Sequence, residues 1–294
     1  MNWKIAACII LNSCLGCKSE QEPSFLEIKI ELPTVMKEIS GLVTTGEDLW
    51  AVSDNPGSAF VRMDMKGNIL QKFIIANAKM LDVEAISTDG KHLFIGDIGD
   101  NKGDRLERII YKVEISAMGE GTTDTVNAEV ISLTFPGNEK VAKKKKNEHD
   151  FEAMIYYEDT LILFSKRRTD KDTEIFKIPA KVGKHMAQSV GIIPSDGMIT
   201  DASINNEKNE IALIGYQKDH LFPFILLLKD FNGNNYTTAK TERIELADKE
   251  WDWQLESIAY KPNDIIYFAC EETKEVASTL YGVIRSNLSK LNKK

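Results

Sequence analysis

One short pattern recurs five times along the chain and constrains the fold more than any other feature. A polar, oxygen-bearing residue is followed each time by a small one. The copies are Ser40-Gly41, Glu84-Ala85, Glu152-Ala153, Asp201-Ala202 and Glu256-Ser257. Nine residues after each polar residue an apolar run begins, at Leu49, Leu93, Leu161 and Ile265; in the fourth copy Glu210 takes that place and Ile211 follows. The runs read LWAVSD, LFIGD, LILFSK, IALIGY and IIYFACE. Successive copies stand 44 to 68 residues apart, which suits a four-stranded propeller blade with variable loops.

The remaining apolar segments complete such units. Helical periodicity is almost absent after residue 24, and turn sequences such as Asp89-Gly90-Lys91 separate short β-rich runs. If each repeat supplies strands a and b, strand c falls at Phe60–Met65, Arg108–Ile115, Glu174–Ile178, Phe222–Lys229 and Thr279–Ile284. Strand d falls at Ile69–Ile75, Ala128–Phe135, Gln188–Ile193 and Thr241–Leu246. The chain ends before a fifth d strand, and one unassigned strand, Phe25–Leu32, precedes the first repeat. Placed in the last blade, it pairs the two chain ends and leaves no open edge. The expectation is therefore an all-β, five-bladed β-propeller over residues 25–290, its ring closed by the N-terminal strand. A β-sandwich built by duplication is the alternative that the same pattern admits.

Residues 1–17, MNWKIAACIILNSCLGC, carry a short basic start and an apolar stretch too short to span a bilayer. Leu15-Gly16-Cys17 resembles a bacterial lipobox, with Cys17 as the lipidated residue and Cys14 as a competing position. Residues 18–24 form a polar, acidic tether. Either position, or a plain secretory signal, places the domain outside the cytoplasm: an outer-membrane or cell-surface lipoprotein, or a periplasmic protein, touching the membrane through its lipid alone. Only Cys270 of the four cysteines lies in the body, inside an apolar run, so it reads as a buried small hydrophobe and no internal disulfide is expected. The formal net charge of −8 argues against nucleic acid as a partner.

In a propeller the innermost strands line the channel, so residues at one repeat position form a ring. Ser40, Glu84, Glu152, Asp201 and Glu256 would be that ring. Converging carboxylates must keep protons or hold a cation. An all-oxygen ring with several ligands suits Ca²⁺ better than Mg²⁺, and the four scattered histidines offer no zinc site. A structural use, with each residue bonded to a neighbouring blade, is the alternative.

Other segments carry candidate chemistry. The loop Gly96-Asp97-Ile98-Gly99-Asp100-Asn101 reads either as a second Ca²⁺ loop through Asp97, Asp100 and Asn101 or as an Asx-rich turn, with Arg105 and Arg108 nearby. Lys166-Arg167-Arg168 follows strand b of the third repeat, and Lys166 with Arg167 would hold an anion. His149-Asp150 precedes Glu152 as a candidate base. Trp251 and Trp253 stand just before Glu256, either to stack on a ligand or to pack between blades. Lys143–Lys146 is a basic run inside a long loop. No nucleophile elbow, P-loop or dinucleotide fingerprint is present, and no catalytic residue is assigned.

Two resemblances follow from these residues. Gly96–Asn101, then Leu133-Thr134-Phe135-Pro136 leading to His149–Met154 and Ser165-Lys166, resembles the GDIGDN and HDAEA-type motifs of a secreted bacterial propeller family, in the style of esterase-like phytase or SdiA-regulated proteins. The Lys-rich stretch between the proline and the histidine is a departure from it. The ring is similar to the Ser/Glu ring that holds Ca²⁺ in five-bladed calcium-activated nucleotidases (apyrases), with Asp201 where that family more often has Ser. The second resemblance implies a Ca²⁺-bearing channel. Two functions are compatible with it: a surface or periplasmic module that binds a small molecule, glycan or envelope protein, and a Ca²⁺-dependent phosphoester or phosphoanhydride hydrolase.

Overall fold

The computed structural model describes residues 26–54, 59–136, 148–218, 221–233, 235–246, 253–261 and 263–288. Cys17, the run Lys143–Lys146 and Trp251 lie outside them. The described chain is a five-bladed β-propeller. Strands a to d are Ile39–Thr45, Asp48–Ser53, Ala59–Met63 and Ile69–Ile75 in blade one. They are Ala85–Thr88, His92–Asp97, Arg108–Glu114 and Glu129–Thr134 in blade two, and Phe151–Tyr157, Thr160–Ser165, Thr173–Pro179 and Gln188–Ile193 in blade three. Blade four has Met198–Asn205, Glu210–Lys218, Leu221–Lys229 and Lys240–Glu245. Blade five has Leu255–Lys261, Ile265–Cys270 and Thr279–Ile284, and the N-terminal strand Ile28–Glu31 completes it, antiparallel to Thr279–Ile284. The ring closes as its strand arithmetic requires.

Two strands exceed the expected four per blade. Thr123–Val126 adds in parallel to strand d of blade one, and Gly183–Met186 adds in parallel to strand d of blade two. Each comes from the c–d connection of the following blade, so a short segment crosses back and covers its neighbour's outer edge. Covering an edge removes a row of unpaired backbone groups.

The apolar runs are continuous because each b strand is buried on both faces. In blade three, Leu161 and Leu163 pack into the core shared with blade two, while Ile162 and Phe164 pack into the core shared with blade four. Equivalent cores fill the other inter-blade spaces, the last one joining blades five and one. The small residue of the repeat follows from crowding at the axis. A Cβ on Gly41 would sit 2.9 Å from Ile86 N and 3.1 Å from the Ala85 Cα of the next blade.

The polar residue of the repeat is a β-bulge. Pairing between strands a and b skips Ser40, Glu152 and Glu256 in blades one, three and five. In blade four it skips Thr200, not Asp201. Ser40 Oγ donates to Val83 O at 2.7 Å, and Thr200 Oγ1 makes the same contact to Leu255 O at 2.6 Å. Each acceptor is the residue just before the next blade's bulge, so Thr200 is the repeat equivalent of Ser40. The a–b hairpin of blade four is longer, with Ile204 opposite Ile211 where blade one has Thr44 opposite Leu49. Counting back from strand b therefore lands on Asp201.

Candidate functional site

All five blades deliver side chains to one cavity of about 430 Å³ at the end of the channel where the a strands begin and the b strands finish. Three repeat positions build it. The bulge contributes Glu84, Glu152 and Glu256. The position two residues earlier contributes Glu38, Met198 and Gln254. The end of strand b contributes Asp54, Lys166 and Glu271, each just past the strand, and Tyr216 within the longer strand b of blade four. Backbone bonds align the last two sets: Asp54 N donates to Glu38 O, Lys166 N to Asp150 O and Glu271 N to Gln254 O.

The expected ring of Ser40, Glu84, Glu152, Asp201 and Glu256 divides into four groups with different partners. Ser40 is spent on Val83 O. Asp201 is fully buried away from this cavity, and its carboxylate accepts the backbone N–H of Ala202 at 2.8 Å and of Ile258 at 2.7 Å. Glu152 and Glu256 share a cation: Lys166 Nζ donates to Glu152 and lies 4.0 Å from Glu256 Oε1 and 5.3 Å from the Tyr216 ring centre. Burial opposes the Lys166 charge, but these two glutamates outweigh it and hold its pKa well above the ordinary value.

Glu84 stands apart. It is 8% exposed, and its carboxyl hydrogen-bonds only the Asp82 carboxyl among the described residues. The carboxylate oxygens of Asp54, Asp82 and Glu84 lie within 4.8 Å of one another. Burial raises the Asp82 pKa, with the Asp150 charge adding to it. Burial, then the Glu152 and Asp82 charges, pushes Glu84 well above the carboxylate range. Asp54 is pushed to about 7 by burial and by Asp82 and Glu38. Burial likewise takes Glu152 to about 8, where Lys166 pulls it down and Glu256 pushes it up, and takes Glu271 to about 9. Gly99 is what lets Asp82 approach: a Cβ there would sit 2.6 Å from Asp82 Cγ and 2.9 Å from Glu84 Cγ.

The loop of Asp97, Asp100 and Asn101 is held by arginines. Asp97 accepts from Asp82 N at 2.9 Å and faces Arg105 at 2.8 Å. Asp100 takes the buried Arg108 at 2.6 Å and the backbone N–H of Asp104 at 2.9 Å. Asn101 Oδ1 accepts from Arg168 at 2.5 Å. Protein donors clamp this Asx-rich loop from three sides, and Asp97 Oδ2 is left buried with no hydrogen-bond partner among the described residues.

The cation beside Lys166 in the cavity wall is Arg168, not Arg167. Arg167 turns outward to Asp170 at 2.5 Å, Glu174 at 3.1 Å and Glu148 at 3.4 Å. Arg168 pairs with the buried Asp150, whose other oxygen accepts from Asp100 N at 2.7 Å. The His149 ring stacks on Phe135 and meets Phe176 edge-on, and burial lowers its pKa. Trp253 packs on Tyr281 and Phe268 in the core between blades four and five. Cys270 is buried, and burial raises its thiol to about 11, as suits an inert small hydrophobe.

Four acidic or aromatic cavity residues, Glu38, Asp54, Tyr216 and Glu271, carry no mark in the bulge pattern, nor does Asp82 behind Glu84. Their signal is the same repeat read at two other offsets. Asp54, Lys166, Tyr216 and Glu271 are the last letters of LWAVSD, LILFSK, IALIGY and IIYFACE.

The fold and this cavity define a class: a β-propeller with an acidic axial mouth. No family model and no curated protein matches the chain. Among solved structures it is similar to a chain of a mitotic checkpoint complex, at 13% identity and a TM-score of 0.41, covering 83% of this chain and 62% of that one. It is also similar to the β-propeller domain of Cps50 (Swd1) from Myceliophteria thermophila, at 11% identity and a TM-score of 0.39, covering 84% of this chain and 83% of that domain.

Proposed function

We propose that this chain is an exported lipoprotein whose propeller works as a binding module, with Ca²⁺ held at the acidic mouth by Asp54, Asp82 and Glu84. The observation that carries the reading is Glu84, buried in the cavity wall with another carboxyl as its hydrogen-bond partner. Uncompensated buried charge is costly, and a hard cation with oxygen ligands removes the cost. The donor set fits: three carboxylates converge, one of them exposed to solvent. Bound there, the ion would tie blade one to blade two beside an open mouth, where a glycan, a small molecule or an envelope protein would dock. Lys166 favours this reading over the hydrolase, because its ammonium is committed to Glu152 and Glu256 and is not free for a phosphate.

Calorimetry and thermal melts of the chain from residue 18 onward test it. Ca²⁺ binds one to one with Kd on the order of 10⁻⁴–10⁻³ M and raises Tm, and Glu84→Gln weakens binding at least about tenfold. The pH dependence has a definite sign. Asp54, Glu152 and Glu271 keep protons to about 7, 8 and 9 when folded, whereas their ordinary values are 3.8, 4.5 and 4.5. The metal-free protein therefore loses stability as pH rises from about 4 to about 9, and Ca²⁺ restores it most at the alkaline end. No heat and no Tm shift at millimolar Ca²⁺ would overturn the metal. Chelator-sensitive phosphoester turnover lost in Glu152→Gln would replace the binding module with the hydrolase.

Export is tested separately by labelling cells with palmitate. The label is expected to follow this chain, to disappear in Cys17→Ala and to survive Cys14→Ala. Loss in Cys14→Ala alone would move the anchor, and no label at all would remove it.

A further inference from the structure

The channel has a second mouth, at the end where the a strands finish and the a–b hairpins turn. A cavity of about 300 Å³ opens there, again with residues from all five blades. We propose that it is a second binding site, for a neutral polyol the size of one sugar ring.

Its polar groups point to that chemistry. Ser87 and Ser203 occupy the same place in blades two and four, three residues after the bulge, and both line the cavity. They are 6% and 8% exposed. Ser87 Oγ accepts the N–H of Tyr156 at 2.8 Å, and Ser203 Oγ accepts the N–H of Tyr260 at 3.0 Å. Neither hydroxyl has an acceptor for its own proton among the described residues. Buried hydroxyls normally find one. Two unspent donors in the wall of a cavity are therefore poised for oxygen acceptors on a ligand. The side-chain amide of Asn206, also without a partner among the described residues, adds a donor and an acceptor at the rim.

The walls between these groups are apolar, formed by Val43, Ile86, Ile155 and Ile204. They suit the C–H faces of a ring whose hydroxyls reach the serines and the amide. No lysine or arginine lines the cavity, which disfavours an anion. Its one carboxylate, Asp89, is already taken by His92 Nδ1 at 2.8 Å and by the N–H groups of Lys91 and His92, which disfavours a cation. The volume lies at the small end of ligand cavities and admits one ring rather than a chain. This mouth carries hydroxyls and one paired carboxylate where the opposite one gathers several acids, so one propeller presents two chemically distinct ends.

Isoleucine-methyl NMR of the chain from residue 18 onward tests this, with methyl β-D-glucoside and myo-inositol as probes. Saturable shifts are expected at Ile86, Ile155 and Ile204 for at least one probe, by about 50 mM, with Ile69 and Ile131 unmoved. Ser87→Ala and Ser203→Ala should each weaken binding about tenfold, one hydrogen bond apiece. Ile204→Phe fills the cavity with both hydroxyls intact and should abolish the shifts, which keeps the test valid if a serine change loosens the blades. Absence of saturable shifts for both probes, or shifts that survive Ile204→Phe, overturns the proposal. Either result leaves the cation site at the other mouth untouched, since Ca²⁺ is read at different residues.

Discussion

Lys166→Met is expected to destabilise the propeller by about 3–5 kcal/mol at alkaline pH, above the range in which Glu152 holds its proton, measured by urea unfolding. The ammonium is nearly fully buried between Glu152 and Glu256. Methionine keeps the apolar stem but leaves Glu256 without its cation and Glu152 with Arg168 alone, 3.8 Å away. The cost arises from the carboxylates left behind rather than from the lost contact itself. Lys166→Met/Glu152→Gln should therefore recover most of the loss, and the double-mutant cycle should give a large coupling energy. The deficit should also shrink as pH falls below about 8, where Glu152 takes up its proton. A single mutant within about 1 kcal/mol of the parent would mean that Glu152 and Glu256 are relieved in some other way.

Arg108→Met is expected to cost a similar 3–5 kcal/mol and to weaken Ca²⁺ binding although no proposed ligand is changed. Arg108 is fully buried, pairs with Asp100 at 2.6 Å and donates to His149 O at 2.9 Å. It ties the loop after strand b of blade two to the start of blade three. That loop carries Gly99 against Asp82 and Asn101 against Arg168. Once it loosens, Asp82 loses the wall that holds it beside Glu84. Faster proteolysis between residues 98 and 107, together with a raised Kd for Ca²⁺, is the expected pair of observations. A destabilised variant with unchanged Ca²⁺ affinity would separate the loop from the cation site.

Much of the molecule was legible in the chain. The apolar runs mark b strands because these strands are buried on both faces, and the small residue after each bulge marks the crowded axis. Ring closure followed from one leftover strand at the N-terminus. The two donated edge strands, Thr123–Val126 and Gly183–Met186, were not legible. They are short and mostly polar, and their pairing partners lie in another blade. The fourth bulge falls on Thr200 rather than Asp201 because the a–b hairpin of that blade is longer than the others, and the repeat spacing does not show it. That Arg168 rather than Arg167 enters the cavity wall depends on how the chain leaves the sheet after strand b, which the run Lys166-Arg167-Arg168 does not record.

The sequence by itself determined the number of blades, the way the ring closes and the presence of acids at the axis. These follow from local periodicity and from a repeat that each blade obeys separately. Only the tertiary structure decided how those acids are divided. Lys166 neutralises Glu152 and Glu256, backbone amides take Asp201, and Asp54 and Asp82 join Glu84 around a gap that no protein cation fills among the described residues. The physical reason is convergence. Charges compensate one another across distances of a few ångströms between different blades, and no periodicity along one chain records which side chains meet there.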